Sequence, residues 1–193
     1  MDHHSLSAFS LFSTSDQIHY EKYPYIAGNI LSAVLPEQAA VWSYPVTEDC
    51  TGPDVSNDRI DVNMVNSFLG RMHLASHLER LSDCQIARIE EGVAYYNSLS
   101  EMKKRAVPYF PNGFTHFGAE SVYAGLKDGS KVYLAVWNLG NAAEVKVNIA
   151  DIQNARIGYP SDSDVNIAWD QVALCVKFPR ACMAVFLEIE IKK

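Results

Sequence analysis

Ala39-Ala-Val-Trp-Ser-Tyr44 is a short apolar run closed by Pro45, and its neighbours decide how the first half of the chain is read. A polar loop follows, Glu48 to Asn57, punctuated by Gly52-Pro53. Ile60–Leu69 then has helical periodicity, with Ile60, Met64 and Phe68 on one face and Val62, Val65 and Leu69 beside them. Arg71–Ser76 is extended again. A strand too short to be a helix, then a helix, then another such strand is the signature of a βαβ unit with parallel strands.

Working outward, the same alternation continues on both sides. Leu11–Ser15 is a strand candidate, and Gln17–Leu35 reads as a helix that Pro24 would start or kink and that stops at Pro36. On the other side, Ser82-Asp-Cys-Gln85 is a capping box. It opens a helix whose apolar stripe runs Ile86, Ile89, Val93, Tyr96 and on to Met102. Lys103-Lys-Arg105 falls in its last turn, where positive charge suits the macrodipole. Three such units do not close a sheet: parallel strands want helices on both faces, and a barrel needs eight strands. The first half therefore reads as the end of something larger.

The pattern divides near Pro108–Gly113, which gives residues 1–110 to the β/α part and 111–193 to a second part with a period of two. Ser121–Leu126, Lys131–Trp137, Ala143–Ile149, Val172–Phe178 and Met183–Ile191 are strand candidates. Lys127-Asp-Gly-Ser130 is a tight-hairpin signal, and Asn138-Leu-Gly-Asn141 and Pro179-Arg180 mark further turns. Glu188-Ile-Glu-Ile-Lys-Lys193 alternates as a terminal strand with one solvated face would. The expected fold class is thus α/β plus all-β: three βα units followed by a small antiparallel sandwich.

Composition narrows the function. The 193 residues are 48% hydrophobic and 20% charged, enough to bury a core. The net charge is −7, and Lys and Arg are scattered, so nucleic acid and anionic membranes are not expected partners. A secretory signal and an apolar run of membrane-spanning length are not seen, which favours a cytoplasmic setting. Cys50, Cys84, Cys175 and Cys182 lack metal or disulfide-framework spacing and read as free buried thiols, although Cys175 and Cys182 flank a turn and could face each other.

Asp16, in Ser13-Thr-Ser-Asp16, stands where the first strand gives way to a helix, the rim position of catalytic side chains in β/α barrels. The plainer role is a helix cap, which spacing alone favours; the roles coexist if Thr14 or Ser15 does the capping. Trp42 and Tyr44 end the second strand and could meet a ligand, Trp42 by stacking on a sugar ring; packing in the sheet is the plainer role. Glu48 and Asp49 are rim carboxylates or solvated ones. His73 and His77 share a face on a strand but lie ~13 Å apart there, too far for one metal. His3-His4 would bind metal only weakly. Without a G-x-S-x-G elbow, a G-x-G-x-x-G turn or a P-loop, neither serine chemistry nor a dinucleotide cofactor is supported, and no cofactor is expected.

Met1-Asp2 and Ser13-Thr-Ser-Asp16 resemble the stretch of glycoside hydrolase family 36, the bacterial α-galactosidases, that runs from a C-S-G-G-G-x-R-x-D segment to a W-T-S-D segment. The interval from Asp2 to Asp16 matches. Asp16-Gln-Ile-His-Tyr-Glu-Lys-Tyr-Pro24, Leu35-Pro-Glu-Gln-Ala-Ala-Val-Trp-Ser-Tyr-Pro45 and Asn63-Met-Val-Asn-Ser-Phe-Leu-Gly-Arg-Met-His-Leu74 carry the similarity on, through Tyr95-Tyr96 into the second part. The resemblance implies that the three strands are the sixth to eighth of a (β/α)8 barrel followed by the family's C-terminal β-domain. It implies Asp16 as general acid/base, Asp2 in a substrate-facing segment, and an α-galactoside oligosaccharide as substrate, which the strand-end Trp42 and Tyr44 would then be the candidates to touch.

Two departures qualify it. The Trp before T-S-D is Ser13 here, which removes a stacking or packing group. The Gly-rich segment and the K-x-D-x-N strand bearing the nucleophile would both lie upstream of Met1. A retaining glycosidase needs two carboxyl groups roughly 5–5.5 Å apart, so one carboxylate does not suffice. The expectation is a C-terminal fragment of a retaining α-galactosidase, inactive alone and prone to self-associate through its open sheet. The alternatives are a non-catalytic carbohydrate-binding or assembly module, and a half-enzyme completed by an N-terminal partner.

Overall fold

Burial on every side, rather than one apolar stripe, defines the helix at the centre of the molecule. The computed structural model describes residues 11–13, 19–47 and 52–192. Within it Asn57–Phe68 forms a helix, α2, in which Ile60 to Phe68 are all buried, Asp61, Asn63, Asn66 and Ser67 included. The sequence marks only the apolar face because its polar residues look solvated. They are covered because α2 lies between two sheets.

One of those sheets is parallel and three-stranded, in the order β1 (Phe12–Ser13), β2 (Ala39–Ser43), β3 (Arg71–Leu74). Phe12 aligns with Ala39, and Trp42 aligns with His73. Helices make the crossovers, as parallel strands require. The first is not the continuous helix expected over 17–35. The described part is a 3-10 turn at Tyr20–Lys22, the seven-residue α1 (Tyr23–Asn29) with Pro24 in its first turn, and a second 3-10 turn at Ile30–Ser32. Pro24 fits only a helix start, and Gly28-Asn29 are poor helix formers that let it loosen. The entry to β3 is tight: a Cβ on Gly70 would sit 2.3 Å from the Ala39 carbonyl oxygen.

The capping box at the next helix is present as read. In α3 (Asp83–Ser98) the Ser82 hydroxyl accepts from Gln85 N at 3.4 Å, and the Gln85 side-chain oxygen accepts from Ser82 N at 2.8 Å. The Gln85 amide also donates to the carbonyls of Gly52 and Val55, pinning the loop before α2. The helix breaks at Leu99 and resumes as α4 (Ser100–Lys103).

The second sheet is antiparallel, in the order β4 (Val107–Tyr109), β5 (Ser121–Asp128), β6 (Lys131–Asn138), β11 (Met183–Ile191), β8 (Ile152–Tyr159). A third, β7 (Glu144–Val147), β10 (Leu174–Lys177), β9 (Asn166–Trp169), packs on it to complete the sandwich. The hairpin between β5 and β6 turns at Gly129, whose φ of +62° suits glycine. Strands β4, β8 and β9 are not foreseen; β8 hides because Gln153, Asn154 and Arg156 give it a polar face. The last strand, β11, lies inside its sheet between β6 and β8, so only its second half keeps the expected alternation. Cys84, Cys175 and Cys182 are free, but Cys84 is exposed and the other two are half-exposed, not buried as expected; Cys50 lies outside the described residues.

Candidate functional site

Side chains alternate across a strand, so the face of β2 that meets α2 and the face that carries Trp42 are opposite. Ser43 points to α2, its hydroxyl 4.0 Å from the Met64 sulfur. Trp42 and Tyr44 project the other way, at the end of β2 toward which all three parallel strands run. Two residues apart on one face, their rings stack with centroids 5.8 Å apart and planes 14° from parallel. His73 is directly across the ladder on β3 and meets the indole edge-on at 4.8 Å. On the other side, the indole Nε1–H donates to Ser13 Oγ of β1 at 2.9 Å.

All three strands therefore contribute to one cluster. Tyr44 is further fixed from behind: its backbone N–H donates to Asn63 Oδ1 of α2 at 2.9 Å, and Asn63 in turn donates to the Arg59 carbonyl. The Tyr23 ring closes on Tyr44 at 6.2 Å. The result is a preorganised aromatic surface with Trp42 and Tyr44 half-exposed. Such a surface can stack on the apolar face of a ring bearing hydroxyls and can exclude water on one side of it.

Nearby, the Tyr20 phenol is pushed up to about 12 by its burial and by Cys182, which outweigh the Arg59 guanidinium lying 4.7 Å over the ring. Tyr20 is thus neutral at physiological pH and is not a proton acceptor there. His73 and His77 occupy separate environments, the first against Trp42 and the second with Nδ1 3.0 Å from Glu79. Among the described residues, no group of three or more His, Cys, Asp or Glu could hold a metal ion.

Asp2, Asp16, Glu48, Asp49 and the His3-His4 pair lie outside the described residues. Trp42 and Tyr44 come together as a pair. His73, Ser13 and Asn63 join them, and sequence reasoning did not place these three at the site. Only the register, Trp42 opposite His73, would have found the histidine.

No family model and no curated protein matches the chain. Solved structures do. The galactosidase domain of the α-galactosidase-sucrose kinase AgaSK superposes with a TM-score of 0.63 at 13% identity, over 92% of this chain and 25% of that one. The fold is shared with α-galactosidases. The glycoside hydrolase family 36 α-galactosidase AgaA of Geobacillus stearothermophilus, solved with stachyose, gives 0.55 at 10% identity over 82% of this chain and 22% of its own. The α-galactosidase of Lactobacillus brevis gives 0.51 at 10% identity over 83% and 23%. The chain spans about a quarter of the length of these structures. At such identities the likeness is one of fold, and what the cluster does is a matter of its chemistry. No helix among the described residues is long and apolar enough to cross a membrane.

Proposed function

We propose that this chain is the part of a retaining α-galactosidase that carries the sixth to eighth strands of a (β/α)8 barrel and the β-domain that follows, divided near residue 110. The observation that carries the reading is the Trp42–Tyr44–His73 cluster at the end of β2 and β3, on the sheet face turned away from α2, in a fold shared with α-galactosidases. Barrel enzymes act at that end of the strands.

In this proposal Asp16 is the general acid/base. It protonates the leaving glycosidic oxygen, then takes the proton of the water that releases the sugar. Trp42 stacks on the substrate ring, Tyr44 extends that surface, and Asp2 faces substrate. The nucleophilic carboxylate comes from barrel strands outside these 193 residues, in the same polypeptide or a partner chain. A reducing, cytoplasmic location belongs to the same proposal and is supported by the three free thiols.

Hydrolysis of a chromogenic α-galactoside tests it. The 193-residue chain alone is expected to show no turnover. Mixed with a chain supplying the first five barrel strands it should gain activity, and Asp16→Asn should then abolish that activity. Turnover by the chain alone would overturn the placement of the nucleophile.

A further inference from the structure

A second set of aromatic rings lies away from the Trp42 cluster, on the loop between β4 and β5. Phe114 is 66% exposed and Phe117 76%, the two most exposed aromatic side chains among the described residues. A contiguous exposed apolar patch marks a binding surface, and these rings share one short loop. The loop is nonetheless held at both ends. Tyr25 of α1 donates its hydroxyl to the Ala119 carbonyl at 2.7 Å, and Asn29 donates to the Thr115 carbonyl at 2.9 Å. Asn112 spans to β7 and the residue after it, donating to the Lys146 carbonyl at 3.2 Å and accepting from Asn148 N at 2.9 Å. Phe110 and Phe114 meet edge-on at 4.7 Å, and Tyr25 and Phe117 meet tilted at 5.1 Å.

The chemistry of this surface selects its occupant. From Ala106 to Ala119 there is no Asp, Glu, Lys or Arg, in a chain that is 20% charged. Beyond Val107 the same stretch has no aliphatic side chain larger than alanine or proline, so aromatic rings are its large apolar groups. The polar groups are neutral. His116 Nδ1 lies 3.1 Å from the Phe117 carbonyl oxygen, to which it donates, leaving Nε2 free to meet a hydroxyl. Fixed rings, no charge and hydroxyl-matching groups fit a neutral sugar. We infer that the loop around Phe114, His116 and Phe117 is a second saccharide-binding surface, taking a neutral oligosaccharide apart from the Trp42 cluster. Only the choice of sugar rests on the α-galactoside reading.

Saturation-transfer difference NMR on the full chain with millimolar stachyose tests this. Transfer to the sugar is expected, and it should persist in a Trp42→Ala/Tyr44→Ala variant. Adding Phe114→Ala/Phe117→Ala should weaken the remaining binding about tenfold, while Phe114→Tyr/Phe117→Tyr, which keeps the rings, should not. Since both phenylalanines are exposed, the melting temperature should not move. No transfer in the wild type overturns the inference, as does transfer that the loop variant leaves unchanged. A loop variant that converts a dimer to a monomer in sedimentation also overturns it, because a second copy of the chain would then be the occupant. If the Trp42/Tyr44 substitutions remove all transfer, this inference fails and the proposed active site stands. If only the loop substitutions matter, this inference stands and the role given to Trp42 fails.

Discussion

Lys103 ends α4 with its ammonium buried: the residue is 7% exposed, Nζ donates to the Gly70 carbonyl at 2.8 Å and lies 3.7 Å over the Tyr96 ring. Burial lowers its pKa from 10.5 to about 7. Between pH 7 and 10.5 the unfolded chain holds a proton that the native state has lost, so stability rises with pH through that window. Below pH 7 both states are protonated and the native state bears the full cost of the buried charge. Lys103→Met should therefore stabilise at pH 6.5 by about 1–3 kcal/mol, less than the shift alone implies because the Gly70 bond and the ring contact are lost. It should also flatten the pH dependence of the urea midpoint; a flat profile in the wild type would contradict the account. At this scale the sequence is readable where a residue type has one use. Trp42 and Tyr44 read as a pair closing a strand, and their rings do stack there, but Lys103 looks like one of three cations serving a helix end. Only Lys104 and Arg105 are exposed there, because the start of β3 covers the third.

Elements were legible where local chemistry dictates them and hidden where tertiary packing does. The Ser82–Gln85 box and the Lys127–Ser130 hairpin follow from side chains and turn residues alone. Strand β8 and the polar side of α2 owe their state to neighbours far along the chain, as when Asp61 meets Tyr159 at 3.1 Å. The same holds for the distance between α2 and α3. Gly92 faces Met64, and a Cβ there would lie 2.7 Å from Met64 Cε and 3.0 Å from Cγ, with Met64 wholly buried. Alanine gains ~1 kcal/mol in helix propensity over glycine, but overpacking a filled core costs ~1–3 kcal/mol. Gly92→Ala should thus be neutral to destabilising by about 2 kcal/mol, against the propensity scale. Gly92→Ala in a Met64→Ala background should be stabilising, since the clash is gone. A double-mutant cycle from urea denaturation measures that coupling, and additive effects would refute the contact as the cause.

Across the whole molecule, two arginines join the helical part to the sandwich, and they should differ sharply in importance. Arg88 of α3 donates to both oxygens of buried Asp61 on α2, at 2.6 and 2.7 Å, and to Asp162 after β8 at 3.0 Å. Burial opposes its charge, yet the hydrogen bonds to Asp61 and Asp162 hold its pKa above the ordinary arginine value. Arg180, before β11, grips Asp58 at 2.6 and 2.8 Å and Asp164 at 2.7 Å, but its side chain is half in solvent. Removing a partner from a buried pair strands the other charge, whereas an exposed pair is screened. Arg88→Met should therefore cost about 3–5 kcal/mol and Arg180→Met about 0–1 kcal/mol. Adding Asp61→Asn to Arg88→Met should recover part of the loss, because the stranded carboxylate is then neutral. One core runs from Tyr23, Val41 and Phe68 through Val122, Trp137 and Phe186, so both parts should melt together in a single calorimetric transition. If Arg88→Met instead splits the melt in two, the arginine clamp, and not that shared core, couples the helical part to the sandwich.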